Sequence, residues 1–256
     1  MREDLSMGRV RIKVMKIDPE DNVRFIINYL SKEKSENTTR PFFDKTVRMY
    51  PELARVNDIT DEKEREQVIR KAVLLRLKEN DAEISKRMRH FEEVFDSFFD
   101  DFFEALCKLY NCDWSDRYSE IKCYVGYLPF YPRSTEDKCF FVSYNDEERV
   151  FSGAVHEVNH MVFYEKWKSM HADVTEPSWP DPLWYLEEII VDPTLNDERV
   201  RPYTLYENKA YPQFYIADPD SGRSIMELVK ECYEAHKDSI EEFLSEAYRI
   251  VAKEIE

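Results

Sequence analysis

At 256 residues the chain is long enough to bury a full hydrophobic core without disulfides or metal ions as staples. Hydrophobic residues make up 43 % and charged residues 35 %, which excludes a disordered or fibrous chain. The formal charge of −16 argues against nucleic acid and membrane surfaces as partners, and four glycines cannot be written as a GxGxxG or GxxxxGK[ST] phosphate cradle.

The opening residues carry charges every few positions and hold no apolar run of signal-peptide length. Within them, residues 10–15 (ValArgIleLysValMet) predict a short strand, and the apolar run from Val23 to Leu30 predicts a helix. Residues 31–40 are polar and aperiodic, as in a loop. No Gly or Pro occurs from Thr60 to Tyr110. Asp61 with Glu64 three residues on marks a helix start there, and Val68, Ala72, Leu75 and Ile84 recur near helical spacing. Phe91, Phe95, Phe98, Phe99, Phe102, Phe103, Leu106 and Tyr110 then fall on one helical face. Glu92, Glu93, Asp96, Asp100, Asp101 and Glu104 take the other side, the pattern of a core-facing helix.

The pattern changes after Asp113. Residues 121–128 and 138–144 are β-rich and are expected to form two antiparallel strands, joined by a Pro-containing loop. Helical spacing returns over 152–168 and 182–191, and a last long helix is expected from Asp220 or Ser221 to about Ala252. No stretch reaches the roughly 18 apolar residues of a membrane span. Five cysteines, an odd number without a CxxC, fit reduced thiols in a cytoplasmic protein; a Cys123–Cys139 contact between neighbouring strands is left open. The expected fold class is α+β and predominantly helical. It forms one compact unit over 1–256, with a mainly helical subregion at 1–115 and the chemistry in 116–256.

One motif carries specific chemistry. Residues 156–160 read His-Glu-Val-Asn-His, and about 0.01 such HExxH matches are expected by chance in a chain with 5 histidines. On a helix His156 and His160 stand one turn apart and can point at one ion. Glu157 is rotated by about 100° and can lean over the open side as a general base. A catalytic zinc site needs a third protein ligand. Phe163 and Lys166 stand where the metzincin continuation requires Gly and His, and His171 lies in a polar stretch. The better candidates are in the apolar segment 182–192, where adjacent acids are costly to bury without a compensating cation. Glu188 is favoured as the ligand and Glu187 is its rival. Asp192, at i+4 from Glu188, is expected to accept the ring N–H of a ligating histidine, His156 first.

The HEVNH motif, the 28-residue separation to Glu188 and the ExxxD of Glu188 and Asp192 resemble the gluzincin group of zincin metallopeptidases, over about 37 of the 256 residues. The resemblance implies a zincin-like core: a short antiparallel sheet beside the HExxH helix, with an edge strand, here 138–144, that holds an extended peptide. The chain departs from the group in having Glu187 before the glutamate ligand and Ile189 after it. A Tyr or His that steadies the oxyanion is expected downstream, where Tyr203, Tyr206, Tyr211 and Tyr215 lie; Tyr206 and Tyr211 are the candidates.

The expectation is a zinc-dependent peptidase with one Zn2+ per chain on His156, His160 and Glu188, and a peptide or protein substrate. Glu157 distinguishes it from a non-catalytic, metal-stabilised interaction module, which needs no general base. A zinc hydrolase acting on a non-peptide amide is the third reading.

Overall fold

The computed structural model describes residues 10–31, 41–114, 118–172, 174–204 and 206–255. The start of the chain at 1–9 and, except for Ser31, the polar run at 31–40 lie outside them. The fold is α+β and mostly helical around a four-stranded sheet.

Strand β1 (Arg11–Lys16) buries Ile12 and Val14 and turns Arg11 and Lys13 outward. Helix α1 (Pro19–Tyr29) starts on the Asp18 carboxylate, which accepts from Glu20 N, with Pro19 in its first turn. After α2 (Pro41–Met49) and two short 3-10 turns, the unpunctuated stretch becomes two helices, α3 (Glu62–Glu79) and α4 (Asp81–Leu109). Asp61 caps Glu64 N as its sequence position implies, and the break falls at Asn80. Asn80 spends its side chain on the Arg76 carbonyl and on the Tyr144 hydroxyl. The Phe stripe of α4 is buried except for half-buried Phe98.

The sheet order is β1-β2-β4-β3, with β2 at Glu120–Gly126, β3 at Arg133–Ser134 and β4 at Cys139–Ser143. The two predicted strands are therefore parallel, not antiparallel. The connection 127–138 is long enough to return the chain to the start of β2, and its two-residue strand β3 pairs antiparallel with β4. The segment expected to be the edge strand is interior and fully buried, and the edge belongs to β3. β1 also pairs parallel with β2, in register Arg11↔Glu120.

Helix α5 (Glu147–Met170) packs against β4, α4 and the short α7 (Val191–Leu195). Helix α6 (Pro182–Ile189) begins on Asp181, whose carboxylate accepts from Leu183 N. The predicted helix over 182–191 breaks at Ile190 because Pro193 has no N–H for the Ile189 carbonyl and crowds it. After α8 (Arg201–Thr204) and a 3-10 turn at Pro212–Tyr215, the expected last helix is two: α9 (Ile225–Ala235) and α10 (Ile240–Ile255). A Ser224–Glu227 capping box sets the first start, and Ser239 Oγ accepts from Glu242 N at the second. The turn between them folds α10 back, so that Tyr233 meets Phe243 edge-on at 4.9 Å.

All five cysteines are free and buried, including Cys123 and Cys139 on neighbouring strands. Among the described residues no helix is long and apolar enough to cross a membrane.

Candidate metal centre

The middle of α5 is buried on every side: all residues from Glu157 to Tyr164 are buried. A helix can run through the centre of a protein only if its polar groups find partners there. His156 Nε2 and His160 Nε2 stand 2.8 Å apart. Glu188 Oε2, brought in by α6, is 3.3 Å from the first and 3.7 Å from the second. A triangle with these sides has a circumradius of about 1.9 Å, so one ion fits at the roughly 2.0–2.2 Å that zinc takes to nitrogen and oxygen. Glu188 Oε2 is buried and accepts no hydrogen bond, and two ring nitrogens face each other across the gap. That is the donor set of a group that could hold a divalent cation.

Arg133, on β3, organises the carboxylates around this triad. Its Nη2 donates to Glu187 Oε1 at 2.6 Å, its Nη1 lies 3.4 Å from Glu157 Oε2 and 3.7 Å from Glu188 Oε1, and its Nε donates to Glu176 Oε1 at 3.1 Å. Burial pushes the Glu157 carboxyl above the ordinary range, against the pull of Arg133 and His156. Burial likewise raises Glu187, to about 8, with Arg133 restraining it. Glu188 is the exception: burial would raise it, but the His156 ring and Arg133 hold it below. Burial would lower His156, yet Glu188 and Glu157 outweigh that and leave it raised. His160 is pushed well down by burial, then by Arg133 and His156, which suits a neutral ring with a free lone pair.

The structure thus brings His156, His160 and Glu188 together with Glu157 alongside. Glu187 lies behind His160: its Oε2 is 3.8 Å from His160 Nδ1, and neither atom has a hydrogen-bond partner. Asp192 does not reach His156. The break before Pro193 turns it toward α9, where it accepts from Tyr215 OH at 2.5 Å and Asn196 Nδ2 at 3.1 Å and pairs with Lys230 at 2.8 Å. Tyr206 and Tyr211 line a cleft of about 380 Å³ that opens onto His156 and Glu188. The Tyr206 hydroxyl is turned away from the triad, donating to the Phe151 carbonyl at 3.2 Å. Tyr211, 45 % exposed overall and stacked beside Trp184, turns its phenol toward the centre: burial pushes its hydroxyl up, and the charges of Glu188 and Glu157 add to that. Tyr203 is outside the cleft lining and Tyr215 is engaged by Asp192. His171 packs against Trp167 with the rings tilted, outside the triad.

Arg133 and Glu176 escaped the sequence reading. Both sit in Pro-containing connectors without periodicity, and nothing local marks either side chain as turned inward. In comparisons with protein-family models, curated proteins and solved structures, nothing matches the chain.

Proposed function

We propose that the protein is a zinc-dependent hydrolase of the metallopeptidase kind, acting on a peptide or protein substrate. The observation that carries this reading is the convergence of His156 Nε2, His160 Nε2 and Glu188 Oε2 beside a buried glutamate that is not needed to complete the set. Zinc held by these three residues would polarise a scissile carbonyl and lower the pKa of a water toward about 7. Glu157, beside the triad and 3.4 Å from Arg133, is the residue that would hold a proton from such a water and pass it to the leaving amine. Arg133 keeps the neighbouring carboxylates compensated, so that Glu157 is not forced to stay protonated by their charge. Helix α5 against β4, the antiparallel edge strand β3 and the glutamate delivered by α6 support a zincin-like core. Free, buried thiols fit a reducing compartment such as the cytoplasm.

Elemental mass spectrometry of the purified protein tests the ligand set. About one zinc per chain is expected in the wild type and in Glu187→Ala, with loss in Glu188→Ala. Glu157→Gln should keep the metal and lower hydrolysis of a peptide library by about 10²–10⁴-fold. A wild type that takes up no metal, or a fully active Glu157→Gln, overturns the reading.

A further inference from the structure

The segment 174–181 lies mostly in solvent, with Trp179 61 % exposed, and the side chain of Glu176, itself 29 % exposed, reaches Arg133 at the rim of the site. The Glu176 carboxylate accepts three hydrogen bonds there. They come from Arg133 Nε at 3.1 Å, Thr135 N at 3.0 Å and Thr135 Oγ1 at 2.5 Å. Two of these donors, a guanidinium edge and a main-chain N–H, match a planar carboxylate, and the hydroxyl closes the third side. The cradle belongs to β3 and the residue following it, at the edge of the sheet. It shares its guanidinium with Glu157 and Glu187, so it sits one side chain from the candidate general base.

We propose that Arg133 and Thr135 form a carboxylate-binding subsite, and that Glu176 fills it in place of a substrate carboxylate. This rests on the hydrolase reading for its role and on the cradle itself for its existence. Arg133 faces four carboxylates, of Glu157, Glu176, Glu187 and Glu188. Three are fixed on buried helical turns; Glu176 alone comes from an exposed segment. Exchanging it for the carboxylate of a peptide leaves all three donors satisfied and the charge balance unchanged, so it is the partner that can be replaced without stranding a buried ion. A peptide anchored by a carboxylate on the far edge of Arg133 runs its adjoining amide toward Glu157, on the near edge. The substrate class is therefore a peptide with a free C-terminal carboxylate or an acidic side chain close to the bond acted on.

Calorimetric titration tests this without requiring turnover. The probes are N-acetyl-alanyl-alanine, its C-terminal amide, and N-acetyl-aspartyl-alanine amide, each added to wild type, Glu176→Ala and Glu176→Ala/Thr135→Val. Glu176→Ala should bind at least one of the two acids about tenfold more tightly than the uncharged amide, and about tenfold more tightly than wild type does. Removing the Thr135 hydroxyl should return much of that gain. The acid that binds identifies the source: the terminal carboxylate or the aspartate side chain. Equal affinity of Glu176→Ala for acids and amide overturns the subsite even if the protein takes up zinc and hydrolyses peptides. Selective binding by a protein that takes up no metal upholds the subsite while removing the hydrolase reading.

Discussion

The two longest helices of the molecule solve opposite problems. Over its 29 residues α4 is sided: Phe91, Phe95, Phe99, Phe102 and Phe103 are buried, while Glu92, Glu93, Asp96, Asp101 and Glu104 are exposed. Over its 24 residues α5 has no solvent side through its middle, and it buries Glu157, Asn159, His160 and Lys166 among Val, Met, Phe and Tyr. Every apolar group on α4 lowers the free energy of the fold by leaving water. Each polar group on α5 raises it unless a partner is supplied from another element. Lys166 has the Asn111 carbonyl and Glu241, Asn159 has Tyr110 and Thr194, and Glu157 has Arg133. Asn159 Nδ2, His160 Nδ1 and the Tyr164 hydroxyl have none, nor has Glu188 Oε2, which α6 brings against them. The difference separates residues retained for stability from residues retained in spite of it, and the candidate centre lies within the second set.

The largest effect is expected from the apolar helix. Phe102→Ala should lower the unfolding free energy by about 3–5 kcal/mol in urea, with metal content per folded chain unchanged. A parallel loss of metal would show that α4 and the centre are not separable in this way. A smaller effect should come from the polar helix. Asn159→Leu deprives the buried Tyr110 and Thr194 hydroxyls of their shared acceptor and should cost about 1–3 kcal/mol, although it adds apolar surface to a fully enclosed site. Tyr110→Phe in that background should cost less than it does in the wild type, and a double-mutant cycle in urea measures the coupling. The smallest effect lies outside both helices. Arg199 and the Tyr233 hydroxyl overcome burial to hold the Asp197 carboxyl down at about 2, from an ordinary 3.8. Its contribution is present above pH 3.8 and is lost as pH falls toward 2. Denaturation curves should show Asp197→Asn flattening the decline in stability over that window.

What could be read from the chain follows the same division. Asp61 capping Glu64 and the periodic Phe residues of α4 are local signals, and both elements stand where they point. His156, His160 and Glu188 were legible because an i, i+4 pair and an acid in an apolar run are conspicuous against their neighbours. Long-range choices left no such mark. Residues 121–128 and 138–144 look the same whether they pair parallel or antiparallel, since direction depends on where the residues between them travel. The turn of Asp192 away from His156 had a signal that the i, i+4 rule overrode: Pro193, which forbids the helix from continuing through Ile189. Arg133 had none, because an arginine in a Pro-flanked connector reads as a solvated side chain until the surrounding glutamates are known.

The first strand pairs with the second across 109 residues, Arg11 against Glu120. Seen as a sequence of events in time, β1 has no neighbouring strand when it is made. At a synthesis rate of about 5–20 residues per second it waits about 5–20 s for β2, while α1 to α4 are completed in between. The sheet that carries Arg133 therefore cannot begin to assemble until Glu120 has been made, and closing that long loop favours slow formation of the centre over early formation.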